Sequence, residues 1–501
     1  MSVPTRERAR KYLPLVLLLL GFAVRLIGLD ARSLWVDEAF SWWMSGHPPS
    51  ELVRWCVRID QHPPLYYLLL ALWRGEFGES VWALRALSAF ASTMTLALAF
   101  RWATRWGRTP ALAFLVVLTL SPLHVRYAQE ARMYAWLTLW IALALVDTPL
   151  PGHTSTPFGG TVGGLATAAA LWTHNLALLF PVSVLGVWTV GCARRWSPCP
   201  PGRRVLSWAL PLLLWVPWIP AWVHQAQGIL PRFWVPFPTG WDVVATFHDL
   251  TLAFFPIPGV MALWALLAGG ILLARTRRAS DLALGLLLFI PLLAELAISW
   301  LRPIYLLRTF QWVLLPYGVL LGLAWFRVSP RALRWGLALL FLSFNVMALN
   351  AYRSAFVGEP WDRVARQVAS RVHQGDVVLF NAGWVQLPFD YYFRRTGRVV
   401  EEHGIPVDFG RGRELEPLTQ ETDLARLQEL LRDHPRAWLI YSHEWYTDPR
   451  HLTLKGLHAW GVLRETWTFP GIRVYVFERR PTSDRKGRFG GGVLAQNGER
   501  R

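Results

Sequence analysis

The apolar positions of this chain gather in runs of about 15 to 22 residues divided by short polar connections, the length a helix needs to cross a bilayer. Eleven such runs can be laid out, at 12–29, 80–100, 109–124, 134–149, 160–174, 176–192, 205–223, 258–274, 281–300, 304–325 and 335–352. Those at 109–124, 134–149 and 160–174 are short, which leaves room for one re-entrant pair. Beyond residue 352 the pattern changes. The segments 361–372 and 422–432 read as helices, 376–380 and 437–441 as strands, and 471–477 as an edge strand. The expected architecture is therefore mainly α: a polytopic transmembrane helix bundle over 1–352 and a small soluble α/β domain over 353–480. Residues 481–501, with basic residues, a Gly-Gly-Gly run and no apolar period, read as a disordered tail.

Composition strengthens the membrane reading. Of 501 residues 53% are hydrophobic and only 17% charged, more apolar surface than a soluble domain can bury. The net charge of +18 lies in small clusters between the apolar runs, as the positive-inside rule requires, so it does not mark a nucleic-acid partner. No small-x-small cleavage site follows the first run, which is read as a retained helix with a cytoplasmic N-terminus. Eleven crossings then put every basic cluster inside and 353–480 outside, in a plasma (inner) membrane. The outside loops are 30–79, 124–132, 173–175, 224–255 and 301–308. Within the first, 63–73 is too short to cross and is expected to lie in the interface. Many of the 30 tryptophans stand at run ends, where interfacial anchors belong. Cys56, Cys192 and Cys199 have no metal-ligand spacing, and they fall on opposite sides of the membrane, so no disulfide framework is expected.

The outside loops hold the candidate chemistry. Asp37-Glu38 follows the first helix among Trp35, Trp42 and Trp43; a half-shielded carboxylate suits a general base for a hydroxyl or amine. The plainer alternative is an acid pair stabilising a helix start. In Ser121 to Tyr134, a helical reading places Arg126, Glu130 and Tyr134 on one face, with Arg132 beside them; Glu130 could equally just neutralise Arg126. Asp60-Gln61-His62-Pro63-Pro64-Leu65-Tyr66-Tyr67 sets His62 at the mouth of a helix opened by Pro-Pro, unless it is simply a solvated histidine in a turn. Arg302, Tyr305 and Arg308 occupy an outside turn, where a guanidinium suits a phosphate at a bilayer surface, unless the arginines merely snorkel to head groups. His174 is a lone histidine in an outside turn. Acids, a histidine and arginines thus share one membrane face, which suits a reaction between a lipid-borne phosphate compound and a water-side acceptor.

Taken together, Asp37-Glu38, His62-Pro63-Pro64-Leu65-Tyr66-Tyr67, and Ser121-Pro122 followed by Glu130-x-Arg132-x-Tyr134 resemble the C-type (GT-C) membrane glycosyltransferases. The likeness is greatest to glycosyltransferase family 39, which holds protein O-mannosyltransferases and aminoarabinose transferases. It covers roughly residues 10 to 320 and is strongest in the first 140. The resemblance implies a polyprenyl-phosphate sugar donor, inverting transfer and a catalytic site outside the membrane. Asp37 matches the loop acid acting on the acceptor, with Glu38 beside it, and Glu130 matches a second acidic position. His62 stands where aminoarabinose transferases have lysine before Pro-Pro. Substrate contacts are assigned to His62, Tyr66, Arg126, Arg132, Tyr134, His174, Arg302, Tyr305 and Arg308.

The resulting expectation is an integral membrane hexosyl- or pentosyltransferase. Its acceptor is a protein, lipid or glycan, its surroundings are membrane lipids, and no cofactor is fixed, a divalent metal being left open. The competing functions are a transporter or flippase for lipid-linked sugars and a non-catalytic assembly protein. Transporters usually show internal repeats with matching broken helices, and no such pairing is visible here.

Overall fold

A computed structural model describes residues 3–151, 160–196, 202–228, 235–255, 278–355, 358–411 and 417–481. The chain divides into two units, one of Met1–Arg32 with Phe40–Val357, the other of Ser33–Ala39 with Gly358–Arg501.

The larger unit is helical. Its first half runs through α1 (Val3–Leu26), α2 (Val36–Met44, which begins in the other unit), α3 (Pro49–Arg58), α4 (Leu65–Phe77), α5 (Val81–Ala103), α6 (Arg108–Leu120), α7 (Pro122–Ala128), α8 (Tyr134–Asp147), α9 (Thr161–Thr173) and α10 (Leu179–Ala193). Among the described residues five helices are long and apolar enough to cross a membrane: Val81–Trp106, Asn175–Ala193, Ala279–Ser299, Leu307–Arg327 and Arg331–Ser354. The pair α6 and α7, bent by 56°, makes a sixth if counted as one span. The protein is a multi-pass membrane protein. The expected run at 258–274 and the tail 482–501 lie outside the described residues. The run at 205–223 is broken: Gly202–Trp215 gives way to a tight turn at Val216–Trp218 and then to Ile219–Gly228. Pro217 and Pro220 cannot donate to the preceding turn, which accounts for the break.

The bend between α6 and α7 has a specific chemistry. Ser121 caps α7, accepting from the His124 amide at 3.3 Å, and Pro122 occupies the first helical position. Pro122 has no N–H, so the Leu118 carbonyl four residues back loses its helical donor. Arg25 of α1, fully buried, replaces it. Its guanidinium donates to the carbonyls of Leu118 (3.2 Å), Thr119 (3.3 Å) and Gly21 (2.9 Å), to Ser92 Oγ of α5 (2.7 Å), and to His124 Nδ1 (2.6 Å). A buried charge satisfied in this way ties α1 and α5 to the α6–α7 elbow. Elsewhere small residues allow close packing. Helix Leu314–Arg327 lies so near α6 that a Cβ on Gly322 would come within 2.6 Å of the Pro110 carbonyl oxygen.

Past the elbow, the expected single helical face through Arg126, Glu130 and Tyr134 is not formed. Helix α7 stops at Ala128, and α8 starts afresh at Tyr134. The side-chain amide of Gln129 donates to the carbonyls of Arg25 (3.0 Å) and Ile27 (2.9 Å). That pulls the turn onto the end of α1 and takes the chain out of the helical path.

The smaller unit contains a five-stranded sheet: β1 (Val377–Phe380), β2 (Glu401–Gly404), β3 (Arg436–Ser442), β4 (Gly461–Phe469) and β5 (Ile472–Arg479), in the order β2-β1-β3-β5-β4. β1 is parallel to β2 and β3, and β5 is antiparallel to β3 and β4. Alternate residues enter two cores. Val378, Phe380, Trp438 and Ile440 face one side with Trp361, Val364 and Val368, while Val377, Leu379, Leu439 and Tyr441 face the other with Leu427, Leu431 and Leu457. Helices on both faces follow from this double burial. The strand expected at the edge is an inner one, since β5 lies between β3 and β4. The edge on that side, β4, shows solvent most of its side chains and carries a register shift between Leu463 and Glu465. It therefore lacks the apolar alternation that would mark it in the sequence.

Candidate active site

In the membrane unit, the loop before α4, the turn before α8, the α9–α10 turn and the start of helix Leu307–Phe310 place side chains together. Asp60 Oδ1 lies 3.0 Å from His62 Nδ1. The imidazole of His62 meets that of His174 edge-on at 5.0 Å, and His174 in turn lies 6.1 Å from the ring of Tyr134. The guanidinium of Arg308 sits 5.8 Å over the Tyr134 ring. Arg132 donates to Ser41 Oγ at 3.2 Å and reaches the Tyr67 hydroxyl at 3.5 Å. Three segments are tied by amides: Asn175 donates to the Gln61 carbonyl (2.8 Å) and to Gln225 Oε1 (2.7 Å), and Gln225 donates to the Cys56 carbonyl (2.9 Å).

The electrostatics follow from burial and the neighbouring charges. Burial by itself would raise the Asp60 carboxyl. The charge and hydrogen bond of His62, the Arg132 guanidinium and the Tyr67 hydroxyl outweigh it and hold Asp60 below the usual carboxylate range. His174 is pushed well below the ordinary imidazole value by burial first, then by the positive fields of His62, Arg132 and Arg308. It is neutral at pH 7. Its Nδ1 accepts from the Leu176 amide at 3.1 Å, and its Nε2 is buried with no partner among the described residues. The proton therefore resides on Nε2 as an available donor.

The remaining expected site residues fall into separate groups. Arg126 pairs with Glu130 at 3.0 Å and lies over the rings of Tyr127 and Phe254; the Tyr127 ring is 5.3 Å from that of Tyr134, which sets this pair at the margin of the cluster. Tyr66 is fully buried, its ring edge-on to Tyr67 at 5.7 Å. Arg302 donates to the Ala226 carbonyl, and Tyr305 shares a 2.9 Å hydrogen bond with Thr246. Both are thus committed to the 226–246 segment, not to the ring cluster around Tyr134. Asp37 and Glu38 belong to the smaller unit. Glu38 is buried and turns back to accept from the Trp35 amide at 3.3 Å, half of a capping box, while Asp37 is half-exposed. Asp60 and Tyr67, quoted in the motif around His62, and Asn175 and Gln225 carry no assigned role in the sequence reading. For Asp60 a signal existed, an acid two residues before a histidine at a Pro-Pro helix start. Among the described residues no group of three or more His, Cys, Asp or Glu side chains could hold a metal ion.

No family model matches the sequence. The undecaprenyl phosphate-alpha-4-amino-4-deoxy-L-arabinose arabinosyl transferase of Pseudomonas paraeruginosa (strain DSM 24068 / PA7) is 26% identical over 237 residues, 43% of this chain and 42% of that protein. The second such transferase of Pseudomonas fluorescens (strain Pf0-1) is 27% identical over 326 residues, 59% of this chain and 56% of that protein. The matched part therefore spans about two fifths to just over half of these curated relatives. Solved structures are matched over much more of the chain. ArnT from Cupriavidus metallidurans in the apo state superposes with a TM-score of 0.62 at 16% identity, covering 92% of this chain and 97% of that one. Its complex with undecaprenyl phosphate gives 0.57 at 14% identity, with the same coverage. The oligosaccharyltransferase AglB from Archaeoglobus fulgidus, with an inhibitory peptide and a dolichol-phosphate, gives 0.53 at 12% identity over 93% of this chain and 74% of that one. The chain has the fold of the C-type membrane glycosyltransferases.

Proposed function

We propose that this protein transfers a sugar from a polyprenyl phosphate to an acceptor on the non-cytoplasmic face of the membrane, with inversion at the anomeric carbon. The observation that carries the reading is the convergence of Arg132, Arg308, His62 and the neutral His174 on one cluster at the helix ends. Such a cluster suits a phosphate leaving group. As the anomeric C–O bond breaks, charge develops on the phosphate oxygen, and preorganised guanidinium groups stabilise it more in the transition state than in the ground state. The His174 Nε2–H can donate to the same oxygens without adding a charge. Asp37 takes the proton of the acceptor hydroxyl or amine as that atom attacks the anomeric carbon. The products are the glycosylated acceptor and free polyprenyl phosphate.

The names of the relatives make a 4-amino-4-deoxy-L-arabinose carrier the first donor to try, with hexose carriers beside it. Purified protein in lipid nanodiscs should release polyprenyl phosphate from one of these donors in the presence of an acceptor. Asp37→Asn should cut that release by about 10² or more, as loss of a general base does, with the protein still folded. Near-normal turnover of Asp37→Asn would remove the base assignment. Movement of the intact glycosylated carrier between leaflets without release would favour a flippase instead. The orientation belongs to the same proposal: reporters fused at Arg195 and Arg278 should read cytoplasmic and one at Glu414 external.

A further inference from the structure

The segment that bears Asp37 does not group with the membrane helices around it in sequence. Ser33–Ala39 belongs to the unit formed by Gly358–Arg501. Three consecutive kinds of anchor hold it there. The Ser33 hydroxyl donates to Asp362 Oδ1 at 2.5 Å and accepts from the Asp362 amide at 3.3 Å, a reciprocal pair at the first turn of helix Trp361–Arg371. The Leu34 amide donates to the Tyr392 hydroxyl at 2.7 Å. Val36, 8% exposed, lies in the same apolar cluster as Trp361, Trp384 and Phe389, against which the Tyr392 ring also packs. On the other flank of Asp37, Glu38 is buried and closes the helix start on Trp35. The neighbours of Asp37 on both sides are pinned, and its own side chain is partly buried.

We infer that the C-terminal domain is a clamp that sets the position of Asp37, with Tyr392 and Asp362 as its positioning residues. A base acts only within hydrogen-bond reach of the proton it removes. Misplacement by about 1 Å can cost on the order of 10²-fold in rate. A seven-residue segment with no long helix of its own cannot supply that accuracy, whereas a packed sheet domain can. The catalytic part of the inference rests on the reading of Asp37 as the base; the clamp itself does not.

Tyr392→Phe tests it, because the change removes one hydroxyl and keeps the ring in its apolar site. Hydrogen–deuterium exchange of the full-length protein in nanodiscs should show the peptide covering residues 33–40 exchanging faster in this variant, with peptides of the β1 and β3 strands unchanged. Turnover should fall about tenfold or more, with the KM for the donor unaltered. In an Asp37→Asn background, Tyr392→Phe should cost nothing further, since the residue to be positioned is gone. Val36→Ala, acting through the apolar anchor, should reproduce both effects. Unchanged exchange at 33–40 in both variants would overturn the clamp. Faster exchange with unchanged turnover, or an equal further loss in the Asp37→Asn background, would overturn the positioning role. If the wild type releases polyprenyl phosphate from no donor, the glycosyltransferase reading fails, and the exchange measurement still decides whether the segment is clamped.

Discussion

Asp60 and His62 face one another across a single turn, carboxylate oxygen to imidazole nitrogen at 3.0 Å, in the loop that opens α4. The contact orients the imidazole toward His174 and gives Asp60 a charge partner in a site where an isolated carboxylate would be costly. Asp60 is the hub, because Tyr67 and Arg132 also act on it.

This relationship has a pH signature. The folded Asp60 carboxyl lies below its unfolded value of about 3.9. Its contribution to stability is therefore fully present above that unfolded value and is lost as the pH falls through the folded one. Asp60→Asn should remove the contribution, lower the thermal midpoint at neutral pH, and flatten the acid limb of stability against pH below about 4. An unchanged acid limb in the variant would show that other carboxylates dominate there.

Arg308 offers a test of fork geometry against mere charge. Arg308→Lys keeps the cation but loses the planar guanidinium that lies over Tyr134 and can grip a phosphate through two hydrogen bonds. Turnover should drop about tenfold in Arg308→Lys and further in Arg308→Gln, each loss being about 1.4 kcal/mol per decade. A lipid-anchoring arginine would behave otherwise, since lysine snorkels as well. Equal activity in all three forms would remove Arg308 from the site.

Arg25 should prove the most sensitive structural position in the membrane unit. Arg25→Met fills the space and leaves the Leu118 and Thr119 carbonyls at the Pro122 elbow without their donor. Each orphaned buried group costs about 1–3 kcal/mol. Arg25→Lys should rescue little, because one ammonium cannot span Ser92, His124 and three carbonyls at once. Thermal unfolding in detergent, read by intrinsic tryptophan fluorescence, checks the order wild type, then Lys, then Met.

The C-terminal domain should respond to pH in the opposite sense to Asp60. Burial, then the hydrogen bond and charge of Glu402, push the Asp390 carboxyl up to about 9. A raised folded value means that stability is fully present below the unfolded carboxyl value and declines as the pH rises toward 9. Asp390→Asn keeps the shape and removes the repulsion, so it should be more stable than wild type at pH 8 and equal to it near pH 4. Exchange protection of the β1 strand as a function of pH measures this directly.

The apolar runs, the basic clusters between them and the change of pattern at residue 352 are local properties of the sequence. They are enough to place most helices within a few residues, because bilayer crossing depends on run length and on charge at the run ends. The strands β1 and β3 were legible for a similar reason, being short apolar runs bounded by turns. The edge strand β4 was not, since its exposed side chains leave no period to read. The candidate residues could be named one loop at a time, but not grouped. Asp60 meets His62 through two residues of chain, whereas His174 and Arg308 reach the same cluster only through the packing of α4, α8 and α9. Packing likewise separated Arg302 and Tyr305 from the ring cluster, by engaging them with Ala226 and Thr246. The largest decision of this kind concerns Leu34 and Tyr392, 358 residues apart, whose hydrogen bond assigns the Asp37 segment to the C-terminal domain. Periodicity and charge act over one or two helical turns. Which distant side chains share a site is decided by helix crossings and sheet order, and these exist only once the whole chain has packed.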